Sequence, residues 1–192
     1  MSIIDLAELR FVKLSTAYDG HVSQFDCSQS DLNEFIRTHA LQEQYDRLSV
    51  TRLACYHNLL VGYFSLANSS IVNKNLDDRD YSNIRRYPSY PALMIARLAV
   101  HKDYQRQGIG IKMLERGMGI AYKLSDHVGC RFITVDVKVD LRAIKFYTRF
   151  GFKPRKKDYN KVEEILHGDY RRNEDSVFMY FDLWKPYLGW CC

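Results

Sequence analysis

Between Glu8 and Leu14 apolar residues (Leu9, Phe11, Val12, Leu14) recur closely enough to predict a first strand. Leu32, Phe35, Ile36 and Ala40 then fall at helical spacing, which predicts a helix from about Gln29 to Tyr45. Ser28 or Ser30 can cap it, and Ser28 with Asp31 resembles a capping box. Thr51–His57 and Leu60–Asn68 read as two strands of a hairpin turning at Asn58-Leu59, with Gly62 marking a bulge or a close backbone approach. The least regular stretch, 69–91, reads as a long surface loop with at most one short helical turn, and a loop of that length is a candidate lid or acceptor wall. The apolar run from Ala92 ends at Val100. A polar turn follows, then a helix from about Gly108 to Leu124 with Ile111, Leu114, Met118 and Ala121 as its buried stripe. Gly117 and Gly119 weaken that helix and suit close packing on a sheet. Arg131–Val137 is β-branched and strand-like. Leu141–Phe150 is a short helix stopped by Gly151, Phe152 opens a strand that Pro154 restricts, and Ser176–Leu183 alternates into the last strand. Antiparallel pairs mixed with crossovers give an α+β, or mixed α/β, class.

Composition changes this picture little. The 192 residues are 46% hydrophobic and 27% charged, as in a soluble globular protein with one real core. No apolar run reaches the length of a membrane span, and the N-terminal residues lack the plan of a signal peptide, so the expectation is a cytoplasmic protein with no membrane partner. The five cysteines include no C-x-x-C pair and are odd in number, which argues against a disulfide framework or a zinc site; Cys191-Cys192 reads as an exposed tail. His39 has no neighbour at metal spacing and reads as a packed or rim residue; no metal site is expected. A net charge of +5 suits an acidic partner without demanding one.

The candidate chemistry lies at Arg97–Ile111. Strand, turn and helix start follow in that order, and a helix start offers backbone N–H groups and the positive end of a dipole to a phosphate. Gly108 and Gly110 allow close approach of a phosphate to the backbone. Gln105 and Arg106 add side-chain donors at the rim. The plain alternative for Gly-x-Gly is a tight turn before an ordinary helix. The dinucleotide fingerprint fails at Met113, and no P-loop occurs.

Gln105-x-x-Gly108-x-Gly110, preceded by Arg97-Leu98-Ala99-Val100, resembles the acetyl-CoA signature of the GNAT superfamily of N-acetyltransferases. Asp140-x-x-Ala143-x-x-Phe146-Tyr147-x-x-Phe150-Gly151-Phe152 resembles the segment that ends the acceptor side of the same fold. The resemblance implies a single domain over 1–192, with insertions at about 69–91 and 153–175. It also implies a GNAT fold: a mixed sheet of about seven strands, flanked by helices and splayed between the strand ending at Val100 and Arg131–Val137. In it the acetyl-CoA arm pairs with backbone at Leu98, Ala99 and Val100. Gln105, Arg106, Gln107, Gly108, Ile109, Gly110 and Ile111 wrap the pyrophosphate, and an amide near Leu98 can serve as oxyanion donor. Tyr147 matches the tyrosine that protonates the departing thiolate in many members; a phenol with a pKa near ~10 is protonated at neutral pH. Asp140 stands where the family often has asparagine and, ionised, only accepts hydrogen bonds. No general base stands out.

Phe25-Asp26-Cys27-x-x-x-x-Leu32-x-x-Phe35 and Tyr63-Phe64-Ser65-Leu66 further resemble the tRNA-acetylating toxins of toxin–antitoxin pairs. That implies aminoacyl-tRNA as acceptor and a small DNA-binding antitoxin as partner. Arg85-Arg86, Arg155-Lys156-Lys157 and Arg171-Arg172 then read either as a phosphate-attracting rim or as solvated loop charges. The stretch 153–175, with a helical turn at Lys161–Leu166, departs from a compact toxin and can close over an acceptor or mediate a homodimer. Three functions stay open: acetylation of aminoacyl-tRNA, acetylation of a small amine or protein amino group, and a non-catalytic module that binds acetyl-CoA or nucleic acid.

Overall fold

The computed structural model describes residues 3–77, 87–170 and 176–184. Its strands are β1 (Arg10–Lys13), β2 (Val50–Tyr56), β3 (Leu59–Val72), β4 (Ser89–Val100), β5 (Phe132–Lys138), β6 (Lys153–Pro154) and β7 (Ser176–Asp182), in a seven-stranded sheet ordered β1-β2-β3-β4-β5-β7-β6. Helices flank it, giving the mixed α/β architecture with a seven-stranded sheet that the resemblance implies. The chain forms two compact units, Met1–Asn68 with Ile95–Ile120 and Ser69–Met94 with Ala121–Cys192; β3 and β4 each run from one into the other.

In the first unit β1, β2 and β3 form antiparallel ladders, Phe11 opposite Ala54 and Leu53 opposite Tyr63. The first strand is shorter than its apolar pattern, because Glu8 belongs to a 3-10 turn, Leu6–Glu8, whose start Asp5 caps through the Ala7 amide. The hydropathy pattern also hides α1 (Asp19–Gln24), which buries Val22 alone. The helix expected over Gln29–Tyr45 is α2 (Ser30–Glu34) and α3 (Ala40–Tyr45), joined by a π turn, Phe35–His39. Its capping-box reading is corrected. Ser28 sits at φ +66°, and no side chain caps the first turn. Asp26, two residues earlier, takes the Ser28 amide instead (2.8 Å). His39 is exposed. The helix after the central turn, α4 (Ile109–Val128), outlasts its predicted end.

Gly62 of β3 shows the close approach its position suggested. A Cβ there would stand 2.9 Å from the Ala99 carbonyl oxygen and 3.0 Å from the Met113 sulfur, while the ladder irregularity falls opposite, at Ala54/Cys55. Phe25, Phe35, Leu53, Tyr63 and Ala99 share the core of this unit.

In the second unit β5 pairs antiparallel with β7, and β6 with the other edge of β7. The Arg131 amide donates to the Pro91 carbonyl (3.0 Å), beside the start of β4. The loop expected over 69–91 is shorter than predicted: β3 continues to Val72 and β4 starts at Ser89, because Ile71, Leu76 and Tyr90 pack with Phe132 and Tyr180. The 153–175 stretch is partly regular: after β6 comes a 3-10 turn and then α6 (Tyr159–His167). The helix between β5 and β6 is α5 (Leu141–Arg149). Arg85-Arg86, Arg171-Arg172 and Cys191-Cys192 lie outside the described residues.

Replacing Gly62 by Val forces a branched side chain against main chain that cannot swing away. Overpacking of this kind costs about 1–3 kcal/mol. The expected result is a lower urea midpoint with an unchanged m-value; an unaltered midpoint counts against the close approach.

Candidate active site

β4 delivers the chain to its candidate loop with Ala99 buried and Leu98 and Val100 half-buried. The strand end is tied down where the His101 amide donates to the Val61 carbonyl (2.9 Å). A 3-10 turn, Lys102–Tyr104, follows, and the His101 imidazole Nδ1 accepts from the Asp103 amide at its start. Gln105 differs in role from the rim donor expected of it. Its carboxamide nitrogen donates to the carbonyls of Val100 (3.2 Å) and Cys27 (3.3 Å). Gln107 is likewise engaged, its side-chain oxygen accepting from the Ile4 amide at 3.0 Å. Arg106 is exposed and sits at φ +63°, a left-handed conformation uncommon outside glycine. Gly108 follows at φ +85°. A Cβ there would stand 2.9 Å from the Leu6 Cδ1, a side-chain end that can move aside, so it is the left-handed backbone that favours glycine.

Two left-handed residues so close together turn the chain sharply into α4. The first helical bond after the turn runs from the Lys112 amide to the Gly108 carbonyl (3.2 Å). The amides of Ile109, Gly110 and Ile111 precede it and so have no partner within the helix, which leaves them at the positive end of a long helix dipole.

The turn is gripped by the segment Phe25-Asp26-Cys27. The Asp26 carboxylate pairs with the Lys102 ammonium (2.9 Å) and accepts from the Ser28 amide and the Asn33 side chain, both at 2.8 Å. Those bonds, led by the one from Lys102, hold its carboxyl well below the usual carboxylate range. The Lys102 amide also donates to the Asp26 carbonyl (2.8 Å). Burial pushes the Cys27 thiol up, and the thiol donates to Asn33 Oδ1 at 3.2 Å, so it serves packing rather than nucleophilic chemistry. Neither Lys102 nor Asn33 stood out in the sequence; the spacing from Asp26 to Asn33 is local enough to have suggested one of the bonds.

Tyr147 lies in the second unit, on α5. Asp140 caps this helix by accepting from the Ala143 amide (3.1 Å), so an acceptor-only side chain suffices at that position. Ile144 and Phe150 are buried, and the Tyr147 ring, three residues from each and so on the same side of the helix, packs edge-on against Phe146 (5.1 Å) and Phe152 (5.3 Å between centroids). Desolvation pushes the phenol up from its ordinary range, so it is protonated at neutral pH.

The basic run Arg155-Lys156-Lys157 is not wholly a solvated rim. The Arg155 guanidinium pairs with buried Asp158 (2.6 Å) and stacks over Phe178, and Asp158 also accepts from the Phe178 amide. Lys161, buried too, donates to the Ser176 carbonyl at 2.7 Å.

The fold and these residues define a class, and the family comparison agrees. Residues 60–154 match the model of the acetyltransferase (GNAT) domain, so the chain carries a GNAT acetyltransferase domain. It is similar to the tRNA-acetylating toxin of Mycobacterium tuberculosis, with 28% identity over 140 residues that span 73% of this chain and 81% of that one. Among solved structures, a tyrosine-to-phenylalanine mutant of KacT aligns with a TM-score of 0.74 at 21% identity, covering 92% of this chain and 95% of its own. AtaT complexed with acetyl-methionyl-tRNAfMet aligns with a TM-score of 0.71 at 22% identity, covering 88% and 93%. No described helix is long and apolar enough to cross a membrane.

The depressed carboxyl of Asp26 gives a signed expectation. Its contribution to stability is complete above its unfolded pKa of about 3.9 and is lost as pH falls through the lower folded value. The advantage of the native chain over Asp26→Asn in urea midpoint should therefore shrink as pH is lowered from about 6 to about 2. An advantage constant over that range would remove the carboxylate from the account.

Proposed function

We propose that this chain is an acetyl-CoA-dependent N-acetyltransferase that acts as one domain in the cytoplasm and acetylates the amino group of aminoacyl-tRNA. The observation that carries the reading is the Gln105–Ile111 loop, whose left-handed Arg106 and Gly108 lead into the first amides of α4, which have no partner within the helix. Those amides and the helix dipole suit a pyrophosphate, and exposed Arg106 adds a cation at the same place. Half-buried Leu98 and Val100, with Ala99 between them, supply strand backbone for the pantetheine arm. Gln105 and Gln107 serve through their main chain, since their side chains brace the loop.

Acetyl-CoA supplies a thioester carbonyl open to attack by a neutral amine. Tyr147 holds a proton at Oη for the sulfur that leaves, and its desolvated surroundings keep that proton in place at working pH. The amine gives up a proton as the C–N bond forms, so one proton passes from nitrogen to sulfur over the cycle. The similar M. tuberculosis protein is a tRNA-acetylating toxin, which supports charged tRNA as acceptor. AtaT has been solved with the C-terminus of its antitoxin AtaR, and KacTA with DNA. On that likeness the chain has a small antitoxin as partner.

The test is transfer of labelled acetyl from acetyl-CoA to a pool of aminoacyl-tRNAs. Transfer is expected, and tRNA binding should weaken about tenfold between 50 and 200 mM salt if roughly two phosphate contacts are made. Transfer to small amines or protein N-termini alone would overturn the acceptor, and transfer to nothing would overturn the enzyme.

Tyr147→Phe should keep coenzyme A binding while turnover falls at least about tenfold, equivalent to about 1.4 kcal/mol in the barrier. Unchanged turnover would return Tyr147 to packing.

A further inference from the structure

Three consecutive residues before α2 meet the turn after β4. Phe25 packs its ring edge-on against the His101 imidazole at 5.7 Å. Asp26 holds Lys102 twice, by its carboxylate (2.9 Å) and by its carbonyl (2.8 Å). The Cys27 carbonyl takes the Gln105 carboxamide (3.3 Å). The gripping side is itself anchored. Arg37 donates to the Phe25 carbonyl (2.6 Å), and Asn33 bridges Asp26 and Cys27 by donating to the carboxylate and accepting from the amide. The gripped turn opens directly into left-handed Arg106 and Gly108.

We propose that Asp26 is a positioning residue for coenzyme binding: acting through Lys102, it sets the start of the Gln105–Ile111 loop and so keeps the loop amides aimed at the pyrophosphate before any ligand arrives. The inference rests on the acetyl-CoA reading above. Arg106 in the left-handed region carries a backbone cost and persists only while its neighbours over-determine it. Releasing the turn at Lys102 lets the loop relax to other conformations. A ligand that binds only the competent one then has its apparent dissociation constant raised by the lost fraction. Once bound, the ligand restores the loop, so the chemical step is untouched. A purely structural contact would lower the melting temperature and leave coenzyme affinity alone.

The experiment measures coenzyme A binding by calorimetry, together with kcat and KM for acetyl-CoA. The variants are Asp26→Ala, Lys102→Met, the double variant and Lys102→Arg. Lys102 is half-exposed, so its substitution keeps the measurement open even if Asp26→Ala folds poorly. Each single change is expected to raise Kd and KM about five- to twentyfold with kcat held within about twofold, and the double variant should be no worse than either single, as for partners in one interaction. Lys102→Arg, which keeps the ion pair, should recover most of the affinity. Melting temperatures that fall while Kd stays at the native value would overturn the positioning role alone. A native chain that binds no coenzyme A would overturn the functional reading and the latch with it.

Discussion

Backbone amides left uncommitted at a helix start cannot also hold their own loop in shape. That constraint governs the first unit of this protein. The loop from Gln105 to Ile111 contains two left-handed residues, and its surroundings hold its shape. On one side the Asp26 carboxylate and the Cys27 carbonyl fix Lys102 and Gln105. On the other the Ile4 amide holds the Gln107 side chain, and Leu6 fills the space over Gly108. Beneath, Gly62 lets β3 close on the Ala99 carbonyl. Each contact spends a side chain or a glycine on a neighbour so that the main chain of the loop stays available. That division of labour explains why the Gln105 and Gln107 side chains bond to neighbouring main chain.

The second unit solves a different problem. Its β7 edge is closed by only two residues of β6, and the charged 153–158 run has to be brought onto it. Buried Asp158 does this by accepting from Arg155 and from the Phe178 amide at once. A buried carboxylate is costly unless its lone pairs are satisfied, and here a guanidinium and a strand amide satisfy them. The Tyr159 hydroxyl donates to the Asp77 carboxylate, and the Asp77 amide donates to the Tyr180 hydroxyl, so the same stretch is stitched to the segment after β3. Residues that read as a basic surface are in part the mortar of the sheet edge, which removes Arg155 from any count of phosphate contacts.

What the sequence reveals follows from the range of the interactions. Strands β2, β4, β5 and β7 and helix α4 are legible because each carries its own apolar period. The end of β3 is not, since Ser69 and Ser70 look like loop and only Ile71, docked on Phe132, betrays a strand. Helix α1 is hidden because Val22 alone anchors it. The capping box misleads for a local reason: Ser28 is forced left-handed by a turn that Asp26 closes two residues earlier. At the site, glycine spacing and the neighbouring strand are visible, and the family resemblance follows from them. The direction of the Gln105 carboxamide and the pairing of Asp26 with Lys102 are not visible, because no local pattern records which distant segment a polar side chain will meet.

Tyr147 raises a question of degree that its surroundings help decide. The rings of Phe146 and Phe152 and the loss of water raise its pKa, which makes the phenol a poorer acid than in solution. A thiol has an ordinary pKa of about 8.5, so complete transfer from such a phenol to a free thiolate runs uphill. The same apolar surroundings make a hydrogen bond from the phenol to a developing negative charge stronger than in water. On the proposed reading, Tyr147 therefore acts chiefly by steadying charge on sulfur as the C–S bond lengthens, with its proton replaced from the ammonium formed on the other side of the reaction. On that reading Asp140 bears on the function through the helix it caps, since its carboxylate fixes the first turn of the α5 helix that carries Tyr147.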